Sequence, residues 1–201
     1  FTILPVYPPE RVIKGIVVNA RAQRFIAEDS YYACIGHEVA FAQQGKAFLV
    51  TDADCSYDPG DFRMPLLAEA AGIGELEGKG GFAPGTLTHA VATYNSGAAR
   101  GEDPLLHKHP KFLAPLVKAP FRLYELDVTR AFCCSHTFGG LETTLDSQVL
   151  DVFGSVIPGL YAAGRTTAGL PTSPYIASGI SVGDCTFFGR RAGRHAAKEV
   201  T

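Results

Sequence analysis

The chain has 201 residues, 46% of them hydrophobic and 19% charged, a globular composition with enough apolar material for a sizeable core. Eighteen Lys and Arg against twenty Asp and Glu give a net charge of −2, and without a basic block this argues against nucleic-acid binding. No apolar run approaches the roughly 18 residues of a membrane-spanning helix, and five cysteines with no CxxC pair argue against a disulfide or zinc scaffold.

That cysteine usage suits a reducing compartment, and with no charged-then-apolar signal at the start the expected location is cytoplasmic. The sequence opens with FTILPVYPPE, apolar, proline-punctuated and without an initiator Met; the expectation is that further sequence precedes it. Residues 12–19 (VIKGIVVN) read as a buried strand and residues 24–27 as a short second one. Asp29 and Ser30 are good cap types for a helix over residues 31–44, with Ile35, Val39 and Phe41 inward. Residues 46–52 (KAFLVTD) predict another strand, residues 64–71 a helix, and residues 72–85 a glycine-rich loop. The spacing of Leu87, Val91 and Tyr94 predicts a helix over residues 85–95. Residues 97–120 are irregular and proline-rich. Residues 121–128 alternate and predict a strand, residues 141–144 and 149–152 a hairpin, and residues 159–163 (GLYAA) a short buried strand. The last element, residues 179–200, predicts a helix with Phe188, Ala192 and Ala196 on one face. Arg190, Arg191, Arg194 and Lys198 crowd its C-terminal half, where they complement the dipole. The fold class is α+β, without internal repeats, and the natural boundary is the stretch 110–120.

The chemistry concentrates in residues 157–197, IPGLYAAGRTTAGLPTSPYIASGISVGDCTFFGRRAGRHAA. A short strand runs to Gly164, a Gly- and Thr-rich loop follows, and a helix then starts with Gly179, Ser181 and Gly183. Small residues at a helix start let a ligand approach the backbone N–H groups, where the dipole favours an electron-rich oxygen or an anion. The same pattern also describes a loop packed tightly over a helix. His107 and His109 form HxH, and Cys133, Cys134 and His136 are neighbours in sequence, but no standard ligand spacing results and no metal is expected. His37, His89 and His195 fall on predicted helices as surface or packing residues.

The segment GLYAAG, a loop, then SGxSxGDxxxFGRRAG resembles the C-terminal flavin-contacting part of the fumarate reductase/3-ketosteroid dehydrogenase flavoprotein family. Three further stretches resemble it in order: GIVVNARAQRFIAED (residues 15–29), TYNSGAARGEDPLLHK (93–108) and HTFGGLETTLDSQVLD (136–151). The resemblance implies FAD as cofactor and three parts. Residues 1–13 would end a FAD-domain segment, 14–118 would be a substrate-cap domain, and 119–201 the C-terminal part of a split FAD-binding α/β domain. The family's strand–GxGxxG–helix unit is not found, since Gly72-Ile-Gly74 is followed by Gly78 at the wrong spacing. The expectation is a C-terminal portion that binds FAD poorly alone and needs the N-terminal FAD-binding half of the same protein.

Two departures separate subfamilies. Fumarate-reducing members place an Arg before the final helix to clamp a carboxylate, where this chain has Tyr175, with Gly179 four residues on. That pair resembles the steroid dehydrogenases, whose Tyr hydroxyl and Gly N–H hold a ketone oxygen. The proton-delivering Arg of the reductases is matched by Lys108. Tyr31 and Tyr32 follow Glu28, where the dehydrogenases carry a catalytic Tyr; Ser178 and His136 would be neighbours, His136 lining the site or supporting it from behind. Ala163, Gly164, Arg165 and Thr166, with Gly179, Ile180, Ser181 and Val182, would contact the flavin.

The resemblance thus implies a 3-ketosteroid dehydrogenase of Δ4 or Δ1 type, the Arg-Thr-Thr loop favouring Δ4. The alternatives are a fumarate- or urocanate-type reductase and a non-catalytic isolated fragment. Expected partners are a steroid or other small ketone, the N-terminal half, and peripheral contact with a membrane; nucleic acid is not among them.

Overall fold

The computed structural model describes residues 13–56, 64–127, 129, 139–171 and 179–199, residue 33 by its backbone. The chain divides into two compact units, Phe1–Cys134 and Ser135–Thr201.

The first unit is built on a four-stranded antiparallel sheet in the order β1-β2-β4-β3, with β1 Ile16–Asn19, β2 Ala47–Thr51, β3 Leu66–Ala70 and β4 Phe121–Glu125. Register pairs Ile16 with Val50 and Val50 with Leu123, and on the opposite face Val17 with Leu49 and Leu49 with Tyr124. Both faces are buried, which is why IVV and FLV read as continuous apolar runs. On the first face Ile16, Val18, Val50 and Leu123 pack with Leu76, Leu87, Val91 and Tyr94 of α2 (Ile73–Lys79) and α3 (Thr86–Ala98). On the second, Val17, Leu49 and Tyr124 pack with Val39 and Met64.

Several expectations change here. The segment at 24–27 makes only an isolated bridge, Val18 with Arg24. The helix expected over 31–44 is a short α1, Tyr32–His37, continued by a π-helical turn, Glu38–Ala42. The stretch 64–71, expected to be helical, holds β3 instead. Leu66, Ala68, Glu69 and Ala70 find partners on β4 across a bulge, and Glu69 accepts from Arg122 Nε at 2.7 Å. Tertiary pairing overrides the helix propensity of LLAEA. The expected loop 72–85 contains α2, despite Gly74 and Gly78. Leu76 is buried there, and Glu77 accepts from Gly85 N–H at 2.6 Å and Thr88 N–H at 3.0 Å, capping α3. Because β4 lies between β2 and β3, residues 119–127 complete the sheet of the first unit, whereas the sequence placed them with the second part.

The second unit pairs β5 (Gln148–Leu150) with β6 (Val156–Tyr161) and sets them against α4 (Ile180–Glu199). The expected hairpin between 141–144 and 149–152 is reduced to a bridge, Thr143 with Val149. α4 turns Phe188, Ala192 and Ala196 to one partly buried face, as the sequence predicts, and adds the buried Asp184 one turn earlier on the same face. The short buried strand expected over residues 159–163 is the end of a longer β6, Val156–Tyr161, in which Leu160 is exposed; a two-stranded ribbon against one helix covers little of its own surface. Among the described residues no helix is long and apolar enough to cross a membrane.

Candidate functional site

In the first unit the structure brings the two tyrosines together at the start of α1. Their rings lie 4.4 Å apart between centroids at 41°, and the Tyr31 hydroxyl donates to the Tyr32 oxygen at 3.0 Å. One phenol therefore stands within hydrogen-bond reach of the other, an arrangement that would stabilise an anion on the acceptor.

The segment leading to them is held by charges that composition alone did not reveal. Arg24 grips two carboxylates: Nε and Nη2 donate to Glu28 at 3.0 and 2.8 Å, and Nη1 and Nη2 to Asp103 at 3.0 and 2.9 Å. Glu28 Oε1 also accepts from Val17 N–H at 2.9 Å, and Asp29 Oδ2 from His109 N–H at 2.9 Å. Burial would weaken the Arg24 cation, but its bonds to Glu28 and Asp103 hold it firmly charged. Burial likewise pushes Asp103 up, and Arg24 more than reverses it, leaving that carboxyl below its ordinary range. The RF-x-x-E spacing places Arg24 and Glu28 four residues apart; only the fold adds Asp103.

Lys108 completes the cluster. Its Nζ donates to the Gly15 carbonyl at 2.6 Å and lies 3.2 Å from Glu28 Oε2 and 3.4 Å from the Tyr94 hydroxyl, with 0% of its side chain exposed. Burial lowers its pKa despite the neighbouring Glu28. A proton donor must exchange with solvent between turnovers; a lysine sealed in this way is a bracket between β1 and the 103–108 loop. Burial also pushes the Cys55 thiol and the Tyr94 phenol up to about 12.

In the second unit Ala163 leads into a 3₁₀ turn, Gly164–Thr166, closed by Thr167 N–H and Thr167 Oγ1 on the Gly164 carbonyl at 2.9 and 2.7 Å. Gly164 has φ +74°, and a Cβ there would meet Cys185 Sγ at 2.6 Å, so this turn can lie on α4 only as glycine. Arg165 Nη2 donates to Ser181 Oγ at 3.0 Å across to the first turn of α4. The Gly183 N–H donates to the Gly179 carbonyl at 2.8 Å, and the N–H groups of Ile180, Ser181 and Val182 lie in the first turn of α4, at its positive end. Gly179, at φ +90°, and Gly183 have open space where a Cβ would stand. Backbone donors, an adjacent guanidinium and, among the described residues, no side chain over Gly179 or Gly183 fit the electron-rich edge of a flavin.

Asp184 was not singled out by the sequence. It is buried one turn into α4; Oδ1 accepts from Leu170 N–H at 3.1 Å, and a Cβ on Gly169 would stand 2.7 Å from the same oxygen. It anchors the 164–170 loop to the helix. His136, Tyr175 and Ser178, with Cys133 and Cys134, lie outside the described residues.

The model of the family described as FAD binding domain matches residues 13–182. A vinyl phenol reductase of Lactiplantibacillus plantarum is 39% identical over 136 residues, covering 67% of this chain and 27% of the relative. Among solved structures, the 3-ketosteroid-Δ4-(5α)-dehydrogenase of Rhodococcus jostii RHA1, in complex with 4-androstene-3,17-dione, superposes with a TM-score of 0.81 at 41% identity, over 94% of this chain and 40% of that one. A flavocytochrome c3 fumarate reductase gives 0.57 at 25% identity, over 96% and 34%. The chain thus spans less than half the length of each of these relatives. It belongs to the FAD binding domain family, and FAD is its cofactor.

Proposed function

We propose that the protein is an FAD-dependent oxidoreductase that desaturates the ring carbon–carbon bond next to the ketone of a 3-ketosteroid, in the Δ4 sense. The observation that carries this reading is the likeness to the Δ4-(5α)-dehydrogenase, which exceeds that to the fumarate reductase in both identity and superposition. Two local features support it. Position 175 holds Tyr where a dicarboxylate reductase needs a cation, and Lys108, matched to the reductases' proton donor, is sealed from solvent.

On this reading the first unit serves as the substrate cap and the second as the returning part of a split FAD domain, completed by an N-terminal half of the same protein. Residues 163–166 and 179–182 hold the flavin, which accepts the hydride when bound. The Tyr175 hydroxyl and Gly179 N–H donate to the ketone oxygen, on which charge grows as the α-proton leaves. Tyr32, or Tyr31, takes that proton. Ser178 and His136 would be neighbours of this group, His136 lining the site or supporting it from behind.

The test is Tyr175→Phe in the full-length enzyme, assayed with a 3-keto steroid and a dye acceptor alongside exchange of the α-hydrogen with solvent deuterium. The expected loss is about 10²–10³ in turnover with the steroid still bound, because the donor acts mainly in the transition state. Tyr32→Phe, or Tyr31→Phe, abolishes exchange that Tyr175→Phe only slows. Wild-type rates in Tyr175→Phe, or turnover of fumarate or a vinyl phenol with none of any 3-keto steroid, overturns the assignment. The vinyl phenol arm is included because of the reductase relative.

A further inference from the structure

α1 begins at the tyrosine pair but does little to hold itself there. It has six residues, Tyr32–His37, and no side-chain cap on Tyr31, and a helix this short is marginal on its own. The place of the two phenols is therefore set by the segment that leads to them. That segment is stapled to residues 103–109 at three successive points. Arg24 holds both oxygens of Asp103, the Lys108 ammonium lies 3.2 Å from Glu28 Oε2, and the His109 N–H donates to Asp29 Oδ2 at 2.9 Å. The last of these lies two residues before Tyr31. Ser30 N–H then donates to the Ala27 carbonyl at 3.0 Å and Cys34 N–H to the Tyr31 carbonyl at 2.8 Å, which leaves little slack.

The loop is bent to make these contacts. His107 and His109 are exposed while Lys108 between them is sealed, and His107 takes φ +59° where the chain turns. A residue with a side chain keeps that conformation where its surroundings impose it. Asp103 imposes it from within the loop: its carbonyl accepts from the His107 N–H at 2.9 Å and its Oδ2 from the Lys108 N–H at 3.3 Å. Two cations, Arg24 and Lys108, balance two carboxylates, Glu28 and Asp103, with side chains between 0% and 4% exposed. Apolar groups of the same volume would serve stability as well. What a buried ionic cluster adds is register, because a shifted loop would leave a charge unpaired.

We infer that the 103–109 loop is a positioning element for the tyrosine pair, acting through Lys108 on Glu28 and through His109 on Asp29. These residues work through Tyr31 and Tyr32, and the inference rests on the proposed role of those phenols in taking the α-proton. A misplacement of about 1 Å at a reacting group costs about 10²-fold in rate, and that loss falls on kcat rather than on KM.

The experiment uses the full-length protein loaded with FAD, compared at equal flavin content. Asp29 is partly exposed, so a substitution there leaves the fold intact. Asp29→Ala removes the staple next to the tyrosines and should lower steroid turnover about tenfold, with KM within about twofold. Asp29→Asn keeps an acceptor for the His109 N–H and should restore most of that loss. Lys108→Met keeps the length without the cation and should cost about 10²-fold in turnover; if it fails to fold, the Asp29 pair decides. Hydrogen exchange at the Cys34 and Ile35 amides, both bonded to the Tyr31 carbonyl, should quicken about tenfold in Asp29→Ala and recover in Asp29→Asn. Unchanged turnover and exchange in Asp29→Ala overturns the proposal, as does an Asp29→Asn enzyme no better than Asp29→Ala. So does a loss confined to KM, which would place the loop on the substrate. Wild-type turnover in both Tyr31→Phe and Tyr32→Phe would instead refute the proposed role of the phenols; exchange needs no substrate and still decides what the loop holds.

Discussion

Replacing Arg24 by Met keeps much of the volume and removes the cation that joins Glu28 to Asp103. Four hydrogen bonds between 2.8 and 3.0 Å are lost together, as is the placement of the guanidinium 4.8 Å from the Tyr94 ring centroid. Glu28 keeps Lys108 at 3.2 Å, but Asp103 is left with backbone donors such as Lys108 N–H at 3.3 Å, in a site where its side chain is almost wholly buried. Removing one partner of a buried pair costs about 3–5 kcal/mol, chiefly because the other charge stays buried. For a unit of this size that lowers the melting temperature by about 10–20 °C. The chain has no Trp, so unfolding is best followed by far-ultraviolet circular dichroism. Adding Asp103→Leu removes the orphaned charge and should restore about 2 kcal/mol. Stability of Arg24→Met within about 1 kcal/mol of wild type, or a double variant no better than the single, would refute the charge-bracket reasoning.

Cys55 is pushed up to about 12 by burial. Its thiol ionises at lower pH unfolded than folded, so its contribution is intact below about pH 9 and is lost as pH rises toward 12. Cys55→Ala should flatten the alkaline loss of stability by about 1.4 kcal/mol per pH unit in denaturant titrations at pH 9 and above. Lys108, lowered by burial, acts in the opposite sense, so the difference from wild type is the quantity to read. Glu77→Ala takes the cap from α3 and should cost about 1–2 kcal/mol by the same titration. Because its bonds to the Thr88 and Gly85 N–H groups hold the Glu77 carboxyl below its ordinary range, wild-type stability should fall with pH below about 4 more steeply than that of Glu77→Gln. Gly164→Ala drives a Cβ into Cys185 at a left-handed φ. In the full-length protein it should weaken FAD retention, read by flavin absorbance after gel filtration, and Cys185→Ala in the same background should recover part of it.

The sequence alone carried the two sheet-core strands, because IVV and FLV are buried on both faces and no alternation is needed to see them. It carried α3 and α4, whose apolar residues recur at helical spacing. It carried the glycine-rich turn over α4, since close backbone approach admits glycine and little else. Tertiary structure decided what local pattern could not. LLAEA became a strand only because β4 offered its open edge. The residues GIGELEGK became a helix because Leu76 reached the core and Glu77 reached the start of α3. Lys108 read only as a replacement for the reductases' Arg, and the fold alone closed Gly15, Glu28 and Tyr94 around it. Ion pairing between residues 79 and 80 positions apart leaves no periodic trace, because charge has no preferred spacing along a chain and acquires its partner, and its depth, only when the sheet folds.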